Sequence, residues 1–187
     1  LPLVGDYNLY NLLCALAVVR SRGVPMADAV GQATALLPVP GRMQPAWTDA
    51  PAASLPLVLV DYAHTPDALE KALRALQPLA MARGGQLWCV VGCGGDRDPG
   101  KRPLMAAVAE REAAICVLTS DNPRREDPMA ILDQMRAGLS HPGAAQVVAD
   151  RAAAIAHAVG AAQARDVVLL AGKGHEPYQD IGGVRHP

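Results

Sequence analysis

The stretch Ala113-Ala114-Ile115-Cys116-Val117-Leu118-Thr119-Ser120, followed at once by Asp121-Asn122-Pro123-Arg124, decides the fold. The first part is a largely continuous apolar run, as expected of a parallel strand covered on both faces. It ends in a polar turn, and open α/β sheets bind ligands at such carboxyl ends of strands. An arginine fork beside an amide, fixed by a proline, suits a planar carboxylate held by paired hydrogen bonds. The same four residues also read as a turn that caps the following helix.

Outward from this stretch the pattern repeats. Strands are expected at 57–62, 86–92, 114–121, 146–149 and 167–172. Between them, helices are expected from 65 or 67 to 80, then at 102–112, 128–139 and 152–163. Short apolar strands spaced by helices predict an α/β, Rossmann-like domain with a mostly parallel sheet. Residues upstream differ in kind. Leu9, Leu12, Leu13, Leu16 and Val19 recur at helical spacing over 8–22, which stops at Gly23, and a second helix is expected over 26–37 before Pro38 and Pro40. Gly41-Arg42-Met43 then opens a short irregular or extended segment. Two helices with no strand between them cannot bury both faces alone, so they read as the end of a preceding domain. The expected division is 1–44 (helical end of a preceding domain), 45–56 (linker) and 57–187 (α/β domain). Gly182-Gly183 reads as a hairpin turn, and the stop at Pro187 soon after it reads as a cut rather than a natural end.

Composition narrows the function. The 187 residues are 51% hydrophobic and 19% charged, which is globular, and their net charge of −1 offers no basic field for nucleic acid. The longest apolar runs, such as 12–19, are too short to span a bilayer, and no signal peptide is expected before the first residue. Cys89 and Cys93 are four apart, but no second pair with zinc-site spacing accompanies them. Cys14, Cys89, Cys93 and Cys116 are expected to be reduced thiols filling gaps in a cytoplasmic protein, with a reactive Cys93 as the alternative.

Four loops follow strands at one edge of the expected sheet. Asp61-Tyr62-Ala63-His64-Thr65-Pro66 offers an aspartate that could accept from ribose hydroxyls, a histidine, and Thr65 as a helix cap. Gly92-Cys93-Gly94-Gly95-Asp96-Arg97-Asp98-Pro99-Gly100-Lys101-Arg102 contains a decoy. Gly95 to Lys101 fits most of the phosphate-loop pattern, but Arg102 stands where a Ser or Thr must meet magnesium. The glycines are expected to let the backbone approach a ligand while Arg97 presents its guanidinium. The third loop is Asp121–Arg124. The fourth, Gly172-Lys173-Gly174-His175-Glu176, could form an anion nest with a carboxylate beside it, or an ordinary turn.

These four loops, in this order, resemble those of the Mur ligases of peptidoglycan synthesis, and within that family the members that add meso-2,6-diaminopimelate. Gly5-Asp6-Tyr7-Asn8-Leu9-Tyr10-Asn11-Leu12 resembles the last helices of the family's central ATPase domain. Gly41-Arg42-Met43 resembles the hinge before its C-terminal domain, where Gln44 stands in place of the usual Glu and puts that residue's ion pair in doubt. The resemblance implies an ATP-dependent amide ligase. A carboxylate of UDP-N-acetylmuramoyl-L-alanyl-D-glutamate becomes an acyl phosphate, which the incoming amine attacks. It further implies ATP and Mg2+ held mainly by a central domain outside this sequence, no catalytic residue within it, a missing final helix, and no turnover by this piece alone. Arg97, Asp121, Asn122, Arg124, Gly172 and Glu176 would form the diaminopimelate pocket. Asn8, Asn11, Arg42, Asp61 and His64 would meet adenine and ribose. A bacterial cytoplasmic monomer is implied, with no membrane insertion. Chemically the pocket set is apt: the end of diaminopimelate that does not react needs receptors for a carboxylate (Arg124, Asn122) and an ammonium (Glu176, the Gly172 carbonyl). Alternatives are a lysine-adding or other ligase of this fold, or a non-catalytic Rossmann-like binding module; no G-x-G-x-x-G supports a dinucleotide.

Overall fold

A computed structural model of the chain describes residues 6–37, 39–46 and 54–187. It divides into two compact units, 1–39 and 40–187. The first holds α1 (Asp6–Ser21) and α2 (Met26–Ala33). Leu12, Ala29 and Ala33 are buried there, while Leu9, Tyr10, Leu13, Val18 and Val30 remain exposed. The second helix ends earlier than 37 because the chain tightens: Ala35 N donates to Gln32 O and Leu36 N to Ala33 O, three residues back rather than four.

The second unit contains β1 (Gln44–Pro45), β2 (Leu57–Asp61), α3 (Pro66–Ala82), β3 (Leu87–Val91), α4 (Lys101–Glu112) and β4 (Ile115–Leu118). It continues with α5 (Pro128–Arg136), β5 (Gln146–Val147), α6 (Arg151–Ala161), β6 (Val167–Ala171), β7 (Gln179–Ile181) and β8 (Val184–His186). Six strands form one sheet in the order β1-β2-β6-β3-β4-β5, parallel except for β1; β7 and β8 form the expected hairpin. Gly41–Gln44, expected with the helices, thus go with the sheet. Most of the expected linker (47–53) lies outside the described residues.

Period-two alternation along the strands sorts two half-cores. Val58, Trp88, Val90, Val117 and Val168 pack against Ala154 and Ala158 of α6, whose small side chains let the helix sit close. Leu69, Leu73 and Leu76 of α3, Met105 of α4, and Ile131 and Leu132 of α5 are fully buried, with these three helices packed in series. Side-chain caps fix the helix starts: Thr65 accepts from Ala68 N, Asp127 from Met129 N and Asp150 from Ala153 N. The strand expected over 114–121 is shorter because Ser120 N leaves the ladder for Ala149 O. Among the described residues no helix is long and apolar enough to cross a membrane.

At the far end of the sheet Asp166, 3% exposed, gathers Gln86 N (2.8 Å), Gln163 N (2.8 Å) and Trp88 Nε1 (3.2 Å). Burial opposes its ionisation, but these N–H donors outweigh it and hold the carboxyl below its ordinary value. A group depressed in the folded state contributes stability above its unfolded value, about 3.9, and loses it as pH falls through the folded value. Asp166→Asn is therefore expected to cost about 1–3 kcal/mol at neutral pH. Urea unfolding across pH should show the gap to wild type closing in acid.

Candidate functional site

The carboxyl ends of β2, β6, β3 and β4 lie side by side, so the loops leaving them meet. Asn122 is the centre. Its Nδ2 donates to Glu176 Oε2 at 2.9 Å, and its Oδ1 accepts from Lys173 Nζ at 2.7 Å and Asp180 N at 2.9 Å. With both ends engaged, the amide has one orientation. Lys173 Nζ also lies 3.4 Å from Glu176 Oε2 and 3.6 Å from Asp121 Oδ1. Gly172 has φ 110°, and a Cβ there would come 2.7 Å from Asp121 Oδ2, so only glycine lets the carboxylate approach. Four of the expected pocket residues, Asp121, Asn122, Gly172 and Glu176, thus share one network. The anion nest considered for 172–176 is not what the lysine serves: its ammonium faces an amide oxygen and two carboxylates.

Arg124 joins from the side. Its backbone is held by the hairpin, with Arg124 N donating to Asp180 O (3.0 Å) and Gly182 N to Arg124 O (2.6 Å), at φ 53°. Its Nη1 donates to Gly95 O at 2.6 Å, while Nε and Nη2 have no partner among the described residues. Arg124 is half-buried. A Cβ on Gly94 would come 2.8 Å from Arg124 Nη1 and 3.8 Å from Arg97 Cγ, so the two arginines flank this glycine. Arg97 itself is exposed and makes no hydrogen bond or ion pair among the described residues. The capping alternative for Asp121–Arg124 is settled by Asp127, which caps α5 instead.

The glycine loop serves the loop beside it. Gly95 N donates to Asn122 O at 2.8 Å, and a Cβ on Gly95 would lie 1.9 Å from Pro123 O. Arg102, 1% exposed, is turned inward, with Nη1 and Nη2 on Glu126 at 2.8 and 2.9 Å and Nη1 on Gln134 at 2.8 Å. Lys101 Nζ donates to His64 O at 2.9 Å. The phosphate-loop likeness therefore has no counterpart in the geometry.

Around β2 a second cluster forms. Asp61, expected to accept from ribose hydroxyls, already takes Met43 N (2.9 Å) and Ala63 N (2.8 Å), one on each oxygen. It thereby holds the buried Met43 at φ 45°. Gln44 Oε1 accepts from Gly41 N at 2.8 Å, so the amide closes this turn without an ion pair. Arg42 stacks over Tyr62 (4.6 Å), and His64 and His175 lie 4.6 and 5.9 Å from the same ring. Asn8 and Asn11 lie on α1 in the first unit.

Sequence reasoning missed several residues. Lys173, Gln179 and Asp180 complete the Asn122 network; Gln179 Nε2 donates to Asp121 O at 2.6 Å. The expected glycine-pair hairpin was the available signal for the last two, because it folds polar residues back onto the preceding loops. Arg151, buried, donates Nη2 to Ala171 O (3.0 Å) and Nη1 to Ser120 O (3.4 Å), just before two of the site loops. Burial lowers its pKa, and the charge of Asp121 opposes that. Cys93 is buried and its thiol is pushed up to about 11, chiefly by burial, against the reactive reading. Burial also raises Cys116 to about 12 and lifts Cys89 well above its ordinary value. Ellman titration of the folded chain at mildly alkaline pH should label exposed Cys14, with the other three reacting only on unfolding.

Residues 41–174 match the Mur ligase, glutamate ligase domain family. A UDP-N-acetylmuramoyl-L-alanyl-D-glutamate--2,6-diaminopimelate ligase from Acidovorax sp. is 55% identical over 98% of this chain and 36% of its own length. A solved structure of a ligase with that same name is 45% identical, with TM-score 0.71 over 98% of this chain and 36% of its own. The UDP-N-acetylmuramate-alanine ligase from Thermotoga maritima, 20% identical with TM-score 0.65 over 91% of this chain and 35% of its own, shares the fold. The chain thus spans about a third of the length of these relatives, and it belongs to the Mur ligase family through its glutamate ligase domain.

Proposed function

We propose that this chain is the amino-acid-receiving part of an ATP-dependent ligase that joins meso-2,6-diaminopimelate to UDP-N-acetylmuramoyl-L-alanyl-D-glutamate. The observation that carries the reading is the pairing of a guanidinium with a free edge, Arg124, with an oriented amide and carboxylate, Asn122 and Glu176. Together they suit the two charges of an amino-acid end. Arg124 and Arg97 take the distal carboxylate, Asn122 steadies it, and Glu176 and the Gly172 carbonyl take the distal ammonium. Asp121 shapes the floor through Gly172 and Lys173. Holding the far end in this way positions the other amine for attack on the activated carboxyl carbon. The names of the relatives agree with this chemistry.

Arg42, His64 and the Tyr62 ring form a cationic and aromatic patch suited to the ribose and phosphates of ATP, and Asp61 holds the turn that carries Arg42. By the family resemblance Mg2+ is assigned to the remainder of the enzyme, and no step is routed through it here. On this reading the piece does not turn over alone, and the parent enzyme is a cytoplasmic monomer.

L-Lysine has no distal carboxylate and would leave Arg124 unpaired. Because the arginine is half-buried, the penalty sits at the low end of about 2–5 kcal/mol. In the full-length ligase, Arg124→Ala should lower kcat/KM for diaminopimelate by about 30-fold or more, equivalent to about 2 kcal/mol. Unchanged efficiency would remove Arg124 from the pocket, and wild-type enzyme that joins L-lysine as well as diaminopimelate would replace the proposed substrate.

A further inference from the structure

Three acceptors from two loops converge on one ammonium: Asn122 Oδ1 at 2.7 Å, Glu176 Oε2 at 3.4 Å and Asp121 Oδ1 at 3.6 Å from Lys173 Nζ. An ammonium has three N–H donors and no acceptor, so this cluster is an ammonium receptor, and the chain's own lysine is seated in it. The Lys173 side chain is only 12% exposed, so these partners rather than water surround its ammonium. The ammonium of a bound amino acid, reaching for Glu176, meets a like charge already on the same carboxylate. Neighbouring cations repel, and more strongly where water is scarce, so the two compete for it.

We propose that Lys173 is an internal surrogate for the ligand's distal ammonium, and that it must withdraw from Asn122 and Glu176 before the amino acid seats. The inference rests on the amino-acid reading of this pocket and assigns Lys173 a specificity-determining part in it. A ligand able to displace the lysine must bring an ammonium of its own, otherwise Asn122 Oδ1 and Glu176 lose a charged partner and gain none. The side chain suits such a movement. Its four-carbon stem carries the charge on rotatable bonds, while the backbone on either side stays packed against Asp121 and Tyr62. The Tyr178 ring, already faced by Arg185, has its centroid 5.7 Å from Nζ and offers a second seat at cation–π range.

The test is lysine acylation footprinting by mass spectrometry on the full-length ligase. Three conditions are compared: no amino acid, saturating meso-diaminopimelate, and saturating pimelate, which keeps both carboxylates and carries no ammonium. Diaminopimelate should raise the acylation rate of Lys173 several-fold, and pimelate should not. A rate unchanged or lowered by diaminopimelate, in enzyme that turns it over, overturns the proposal. Lys173→Met keeps the stem and removes the competitor, so the KM for diaminopimelate should fall several-fold with kcat affected less; a raised KM would mean that the lysine supports binding from where it sits. If the enzyme joins L-lysine and not diaminopimelate, the proposed substrate fails. The displacement is then judged on the same footprint taken with L-lysine, where a several-fold rise supports it and an unchanged or lowered rate overturns it.

Discussion

Gly172 stands where two strand ends press together, and the rest of the site depends on that contact. Its N–H donates to Asp61 O, and its missing side chain makes room for the Asp121 carboxylate. The contact exists because the last strand of the parallel set, β6, is inserted between β2 and β3. A strand added at the sheet's edge would have carried loop 172–176 away from Asn122. Inserted centrally, it delivers Lys173 and Glu176 to the loop after β4 and His175 to the ring of Tyr62. One topological choice thus joins the Asn122 network to the aromatic cluster around Tyr62.

Much of this was legible in the sequence, for identifiable reasons. Continuous apolar runs separated by helical patterns fixed the α/β class, and polar turns after those runs marked the site edge. Thr65 was readable as a cap because its neighbours left it no other task. The functions of the glycines were not readable. Gly94 and Gly95 looked like a cradle for a ligand, whereas they let one loop lie on another, a distinction that needs the position of Pro123. Arg102 was correctly suspect as a phosphate-loop residue, yet its inward turn onto Glu126 and Gln134 depends on helix packing that no local pattern encodes. Asp61 was read by its place at a strand end, and the structure adds a backbone partner from Met43, far away in sequence.

Electrostatically, the surroundings of Asn122 are a compact alternation of sign. Asp121 and Glu176 face Lys173, Arg124 stands at the rim, and Arg151 lies beneath, its guanidinium on carbonyls at the end of β6 and in the loop after β4. Arg151 places a buried positive charge below two acidic groups and ties together the main chain just before each of their loops. Such an arrangement gives two acidic groups positive partners at a largely apolar sheet edge, where isolated charges are costly.

Arg124 adopts a left-handed backbone, φ 53°, that long side chains rarely take and that glycine or asparagine would occupy more comfortably. Conformations of this kind typically cost about 1–3 kcal/mol and persist where the surroundings enforce them. Here the hairpin and the Gly95 carbonyl do so. On the proposed reading, the position is one where ligand recognition and thermodynamic comfort favour different residues. Selection of this domain for heat resistance alone would drift toward Gly or Asn at 124 and would erode the proposed receptor while improving the fold.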